Sequence, residues 1–66
     1  MRILLNDEPR ETEASTLGDL LASLGLAAEP GVAAAVDGAV VPRSAWVATA
    51  LAPGASVLVI RAAQGG

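Results

Sequence analysis

The spacing of apolar positions along the chain switches from period two to period 3.6 and back. Met1 to Leu5 reads as a strand with Met1, Ile3 and Leu5 on one face, and Leu4 on the other predicts burial on both sides. Asn6, Asp7, Glu8 and Pro9 form a turn cluster, and the polar stretch Arg10 to Glu13 predicts a weak edge strand that completes a hairpin. Leu17, Leu20, Leu21 and Leu24 then fall at i, i+3, i+4 and i+7, one face of a helix. Thr16 before them and Asp19 three residues on make a capping-box pattern. Gly25 stands where a left-handed C-terminal cap belongs, with Leu26 placed to fold back onto the last turn. Gly18 costs the helix about 1 kcal/mol relative to Ala and would permit close approach to a sheet.

Beyond the exit loop at 27–31, Val32 to Val36 and Ala39 to Val41 flank Asp37-Gly38, a two-residue hairpin signal because both turn positions require φ > 0. Pro42 closes the second arm. The stretch from Arg43 to Leu51 fits a short strand, a turn of helix or an ordered loop equally well. Pro53-Gly54 marks a turn, and Ser56 to Arg61 is the last strand. Its Val57, Leu58, Val59 and Ile60 are apolar without alternation, the pattern of a central strand covered on both faces. Strand, strand, helix, strand, strand, short element, strand is an α+β order. With its first and last strands the most apolar, and so side by side and parallel at the centre, it predicts a ubiquitin-like β-grasp: a mixed sheet of four to five strands with one helix on one face. Residues 1–61 form a single domain in this reading, and 62–66 a flexible tail.

Composition narrows the chemistry. The apolar share is 53%, and the seven glycines raise it to roughly 64% against about 45–50% for an average domain. A chain of 66 residues cannot bury all of that, so an apolar surface patch of the kind that marks a partner site is expected. There is no Cys to act as a thiol nucleophile and no His to act as a general base. The four basic residues, Arg2, Arg10, Arg43 and Arg61, include no Lys, which removes Schiff-base chemistry. A net charge of −3 argues against nucleic acid. The apolar runs are too short to span a membrane, and no basic segment precedes one as in a signal peptide, so a cytoplasmic location is expected. Asp7, Glu8, Glu11 and Glu13 cluster in the first hairpin, where a solvated rim is far commoner than an acid–base pair. Asp37 reads as a turn former and Asp19 as a helix cap. Arg43 and Trp46 fit a cation–π pair or a partner contact as well as they fit plain packing of the indole.

The remaining candidate is the tail. Two glycines at a fixed pair of positions arise by chance in roughly 0.5% of chains at average usage. Here Gly65-Gly66 follow an apolar last strand that would hold the tail rigidly and project it outward. Glycine lacks Cβ, so such a backbone passes through a narrow channel. Ala62 to Gly66 reaches about 17 Å when extended. The α-carboxylate, ionised at neutral pH, can attack the α-phosphate of ATP to form an acyl-adenylate, from which a sulfur donor displaces AMP and leaves a thiocarboxylate on Gly66.

The segments Ile3-Leu4-Leu5-Asn6, Thr16-Leu17-Gly18-Asp19-Leu20-Leu21, Ala35-Val36-Asp37-Gly38, Val41-Pro42-Arg43-Ser44-Ala45-Trp46, Leu51 through Pro53-Gly54, and Gly65-Gly66 resemble the sulfur carriers of thiamine thiazole biosynthesis, the ThiS family. The Val-Pro-Arg-Ser-x-Trp stretch is the most distinctive of them. The sequence departs from the family's commoner residues at Asp37, Ser56 and Ala63-Gln64. The resemblance implies a carrier rather than an enzyme. By that resemblance it would bind no cofactor permanently, and Gly66 would be adenylated by an E1-like adenylyltransferase of the ThiF type using ATP. The tail would be recognised through Gly65 and Gln64, and the sulfur would pass to a thiazole synthase of the ThiG type. The rival readings are a small subunit of molybdopterin synthase, a carrier for another sulfur pathway, and a non-covalent β-grasp interaction module.

Overall fold

The computed structural model describes residues 1–62. Five strands and two helical segments follow in the order β1 (Arg2–Leu5), β2 (Glu8–Glu11), α1 (Leu17–Ser23), β3 (Val32–Val36), β4 (Ala39–Val41), a 3₁₀ helix (Arg43–Ala48) and β5 (Ser56–Arg61). The sheet order is β2-β1-β5-β3-β4. As the apolar pattern predicts, β1 and β5 lie side by side and parallel, in the register Leu4 with Ser56 and Leu5 with Val57. β3 runs antiparallel on the other flank of β5. This is a mixed β-grasp sheet, with β5 as its middle strand.

Local chemistry fixes the turns. The first hairpin turns on Asn6 and Asp7 alone, both with positive φ (51° and 68°). Glu8 and Pro9, expected in the turn, instead begin β2, which is therefore Glu8–Glu11 and not Arg10 to Glu13. Pro9 is tolerated opposite Leu4 because β2 is an edge strand, where a missing N–H need not break the ladder. Asp37 (φ 50°) and Gly38 (φ 86°) make the β3–β4 turn as expected.

The α1 caps follow the sequence closely. The Asp19 amide donates to Thr16 Oγ1 at 3.1 Å. The Asp19 carboxylate does not return a bond to the Thr16 amide as a full capping box would; it accepts from Ser15 Oγ at 3.4 Å, while Thr16 bridges to Ala50. At the other end Gly25 (φ 75°) donates to Ala22 and Leu26 to Leu21, a complete Schellman motif. Gly18 does permit a close approach, but to the 3₁₀ helix and not to the sheet: a Cβ there would lie 3.1 Å from Val47 Cα.

Ile3, Leu17, Leu20, Leu21 and Val57 are fully buried, and Val32, Ala34, Trp46, Leu51 and Ala55 complete the core between α1, the 3₁₀ helix and one face of the sheet. The opposite face is open. Val40 is 79% exposed, Ile60 56% and Leu58 47%, with Leu4 beside them. The expectation that β1 and β5 are covered on both faces is thus corrected. A continuous apolar run signals two buried faces only when there are two layers to cover them, and this chain has one.

Leu20→Ala is expected to cost about 2–5 kcal/mol, because the side chain is fully enclosed and its loss leaves a cavity. Thermal unfolding checks it: a melting temperature lowered by at least about 8 °C is expected, and an unchanged one contradicts the packing.

Candidate functional site

The end of β5 is the part of the fold that presents the C-terminal residues, and four sets of contacts define it. Past the end of β1, the Asn6 amide donates to the Val57 carbonyl at 2.8 Å, and the Asn6 side chain carries the ladder one step further, its Oδ1 accepting from the Val59 amide at 2.8 Å. On the other flank, β3 pairs with β5 as far as Val32 with Arg61, and the Ala62 amide donates to the Gly31 carbonyl at 2.8 Å. Arg61 also forms an ion pair with Glu29 at 3.4 Å, between two solvated side chains. Behind Glu29, the Arg43 guanidinium donates to the carbonyls of Ala27 and Glu29.

Arg43 is held in turn by Trp46. Its Cζ lies 4.6 Å from the ring centroid, and the indole is 3% exposed, with Nε1 donating to the Val41 carbonyl at 2.9 Å. Both readings of this pair, cation–π contact and core packing, are therefore realised together. The segment left open between strand, helix and loop is a 3₁₀ helix (Arg43–Ala48) followed by an extended stretch that bridges Thr16 at Ala50.

The outer face of the sheet runs up to this same end. Ala33, Ala35, Val40, Leu58 and Ile60 line a shallow apolar dish of about 80 Å³. This is the surface patch that the composition predicts. An open polar groove lies elsewhere, between the end of β2 and α1, lined by Met1, Arg10, Glu11, Thr12, Glu13 and Asp19. Asp7, Glu8, Glu11 and Glu13 are all exposed, and Glu11 pairs with Arg2 and the N-terminal amine. Among the described residues no charged or polar side chain is buried, which leaves these carboxylates a solvated rim. Asp37 is the turn former expected, and its Oδ1 also accepts from the Ser56 amide at 2.9 Å, tying the hairpin to the start of β5.

Gln64, Gly65 and Gly66 lie outside the described residues. What the fold supplies toward them is Ala62 and its supports. Asn6 and Glu29 were not singled out in the sequence. The signal for Asn6 was its place directly after a strand expected to lie parallel to the last one.

A model of the ThiS family matches residues 3–66. The chain belongs to the ThiS family. The fold agrees with that of solved members. The crystal structure of the thiamine biosynthesis protein ThiS from Geobacter metallireducens is 26% identical over the whole of both chains, with a TM-score of 0.82. A solution structure of a thiamine biosynthesis protein from the same organism is 26% identical over all of this chain and 88% of that one, with a TM-score of 0.80. No curated protein matches by sequence. ThiS proteins are small sulfur carriers and not catalysts themselves, and membership implies interaction with enzymes of the thiamine pathway. No helix among the described residues is long and apolar enough to cross a membrane.

Asn6→Gly keeps the positive φ but removes the acceptor of the Val59 amide. It is expected to cost about 1 kcal/mol and to speed hydrogen exchange at Val59 more than at Val57. Equal changes at the two amides contradict the role given to the Asn6 side chain.

Proposed function

We propose that this ThiS-family protein carries sulfur for thiamine biosynthesis as a thiocarboxylate on Gly66. A terminal carboxylate oxygen attacks the α-phosphorus of ATP. A P–O bond forms, the bond between the α- and β-phosphates breaks, and pyrophosphate leaves. The acyl-adenylate is attacked at carbon by a hydrosulfide equivalent from a sulfur donor; the C–S bond forms, the C–O bond to AMP breaks, and AMP leaves. An E1-like adenylyltransferase of the ThiF type runs these steps. The thiocarboxylate then gives its sulfur to a thiazole synthase of the ThiG type in the cytoplasm. The carrier contributes no catalytic side chain; ATP is bound by the partner.

The observation that carries this reading is that the family match runs through Gly66 while the strand leading there is the middle one of the sheet. Hydrogen bonded to β3 along its length, and to β1 and Asn6 as far as Val59, β5 offers a stiff base for the tail. The four residues beyond Ala62 span at most about 14 Å, so an enzyme acting at Gly66 comes close to the end of β5. The exposed apolar face that reaches this end at Ile60 and continues through Leu58 and Val40 gives it a surface to cover. Gly65 and Gln64 are the residues it would read in its channel.

Intact-protein mass after incubation with the E1-like enzyme, ATP and a sulfur source tests the reaction. The protein should gain the increment of one oxygen replaced by sulfur, and the variant lacking Gly66 should not. Gly65→Val should fold normally yet fail to be thiolated, because a branched Cβ does not pass the channel; thiolation at the parent rate contradicts that. Ile60→Asp, on the open face, should keep the fold and weaken capture by the activating enzyme about tenfold or more, in line with loss of an interfacial anchor. Unchanged capture shows that the enzyme docks elsewhere.

A further inference from the structure

Arg43 and the residues that begin the tail are bonded to the same loop. The loop leaves α1 through the Schellman turn at Gly25 (φ 75°) and enters β3 through Gly31 (φ 78°), so its two ends are fixed by the helix cap and the sheet while its middle is not. Within it the Glu29 amide donates to the Leu26 carbonyl at 3.2 Å, a single weak turn. The firm hold comes from outside, where the two arms of the Arg43 guanidinium take the carbonyls of Ala27 and Glu29. A planar fork with fixed N–H directions suits two carbonyls held apart in one plane, and charge makes both bonds stronger than neutral ones. The fork is itself placed by the buried face of Trp46. The loop also holds the end of β5: the Gly31 carbonyl takes the Ala62 amide, and the Glu29 carboxylate pairs with Arg61. That ion pair, with both partners solvated, is a weak tie by itself.

We propose that Arg43 is a positioning residue for the C-terminal tail. Through the carbonyls of Ala27 and Glu29 it fixes the loop that grips Arg61 and Ala62, and so sets the direction in which the chain leaves the sheet toward the activating enzyme. The proposal rests on the reading that Gly66 is the reacting end. With the loop held, the root of the tail is already ordered when the enzyme arrives. Without that hold, ordering it is charged against binding, and once bound the reacting carboxylate is the same. The loss therefore falls on KM for the carrier and leaves kcat alone.

The test uses the full chain with Arg43→Ala and Arg43→Lys. In Arg43→Ala, hydrogen exchange at the Ala62 amide should rise about tenfold more than at Val57, as expected when local opening is released from a charge-assisted hold. KM for the carrier in adenylation should rise about fivefold at constant kcat. Arg43→Lys keeps the charge but not the fork, and should recover part of both changes; it also serves if the alanine variant unfolds. Ala62 exchange equal to the parent's, a rise shared equally by Val57, an unchanged KM or a fall in kcat overturns the proposal. If the parent protein is never adenylated, the reading of Gly66 fails, and the exchange measurement still decides whether Arg43 holds the root of the tail.

Discussion

The parallel pairing of β1 with β5 joins the two ends of the chain, and the other elements are placed by it. Parallel neighbours cannot be linked by a tight turn; they require a long crossover. Here the crossover is the rest of the molecule: β2, α1, the β3–β4 hairpin and the 3₁₀ helix all lie between Leu5 and Ser56. With Leu4 beside Ser56 and Leu5 beside Val57, α1 lies across one face and β3 takes the free flank of β5. Side chains splice the joints that the backbone leaves open. Asn6 supplies an acceptor to Val59 where β1 has ended, and Asp37 supplies one to Ser56 where the second hairpin meets β5.

A single helical layer covers a single face. That arithmetic explains a composition with more apolar residues than a chain of 66 can bury. Ile3, Val57 and Ala34 point into the core, while Leu4, Leu58, Ile60 and Val40 point out on the same strands or their neighbours. The open face runs along the sheet and reaches the end of β5 at Ile60, so the surface suited to a partner adjoins the root of the tail. The polar groups are left to the rim, where the carboxylates of the first hairpin are exposed.

Much of the fold was legible because local chemistry and global arrangement agree. Leu17, Leu20 and Leu21 are the core face of α1, Thr16 and Gly25 bound it, and Asp37-Gly38 turns where turn chemistry says it must. Most of what the sequence left hidden belongs to the tertiary structure. Whether Leu58 and Ile60 are covered depends on how many layers the chain can build, which no window of β5 records. The 3₁₀ helix is held by the bond of Trp46 to Val41 and by the cation over its ring, contacts that periodicity does not reveal. Gly18 showed that something comes close, but not that it is Val47. Asn6 read correctly as a turn residue, while its bond to Val59 spans 53 positions and belongs to the tertiary structure. Of the site, the glycine pair lies outside the described residues, and the grip of Glu29 and Gly31 on the last residues of the strand was not legible in the sequence.

In the proposed reading, the terminal carboxyl group of Gly66 is the part of the molecule that reacts, carried on the strand at the middle of the sheet. The most direct test follows the oxygen atoms of that group. With the carboxylate of Gly66 enriched in heavy oxygen, one turnover with the activating enzyme, ATP and a sulfur source should place one labelled oxygen in the phosphate of the released AMP and leave the other in the thiocarboxylate. AMP free of the label, with both labelled oxygens still on the protein, would contradict the account.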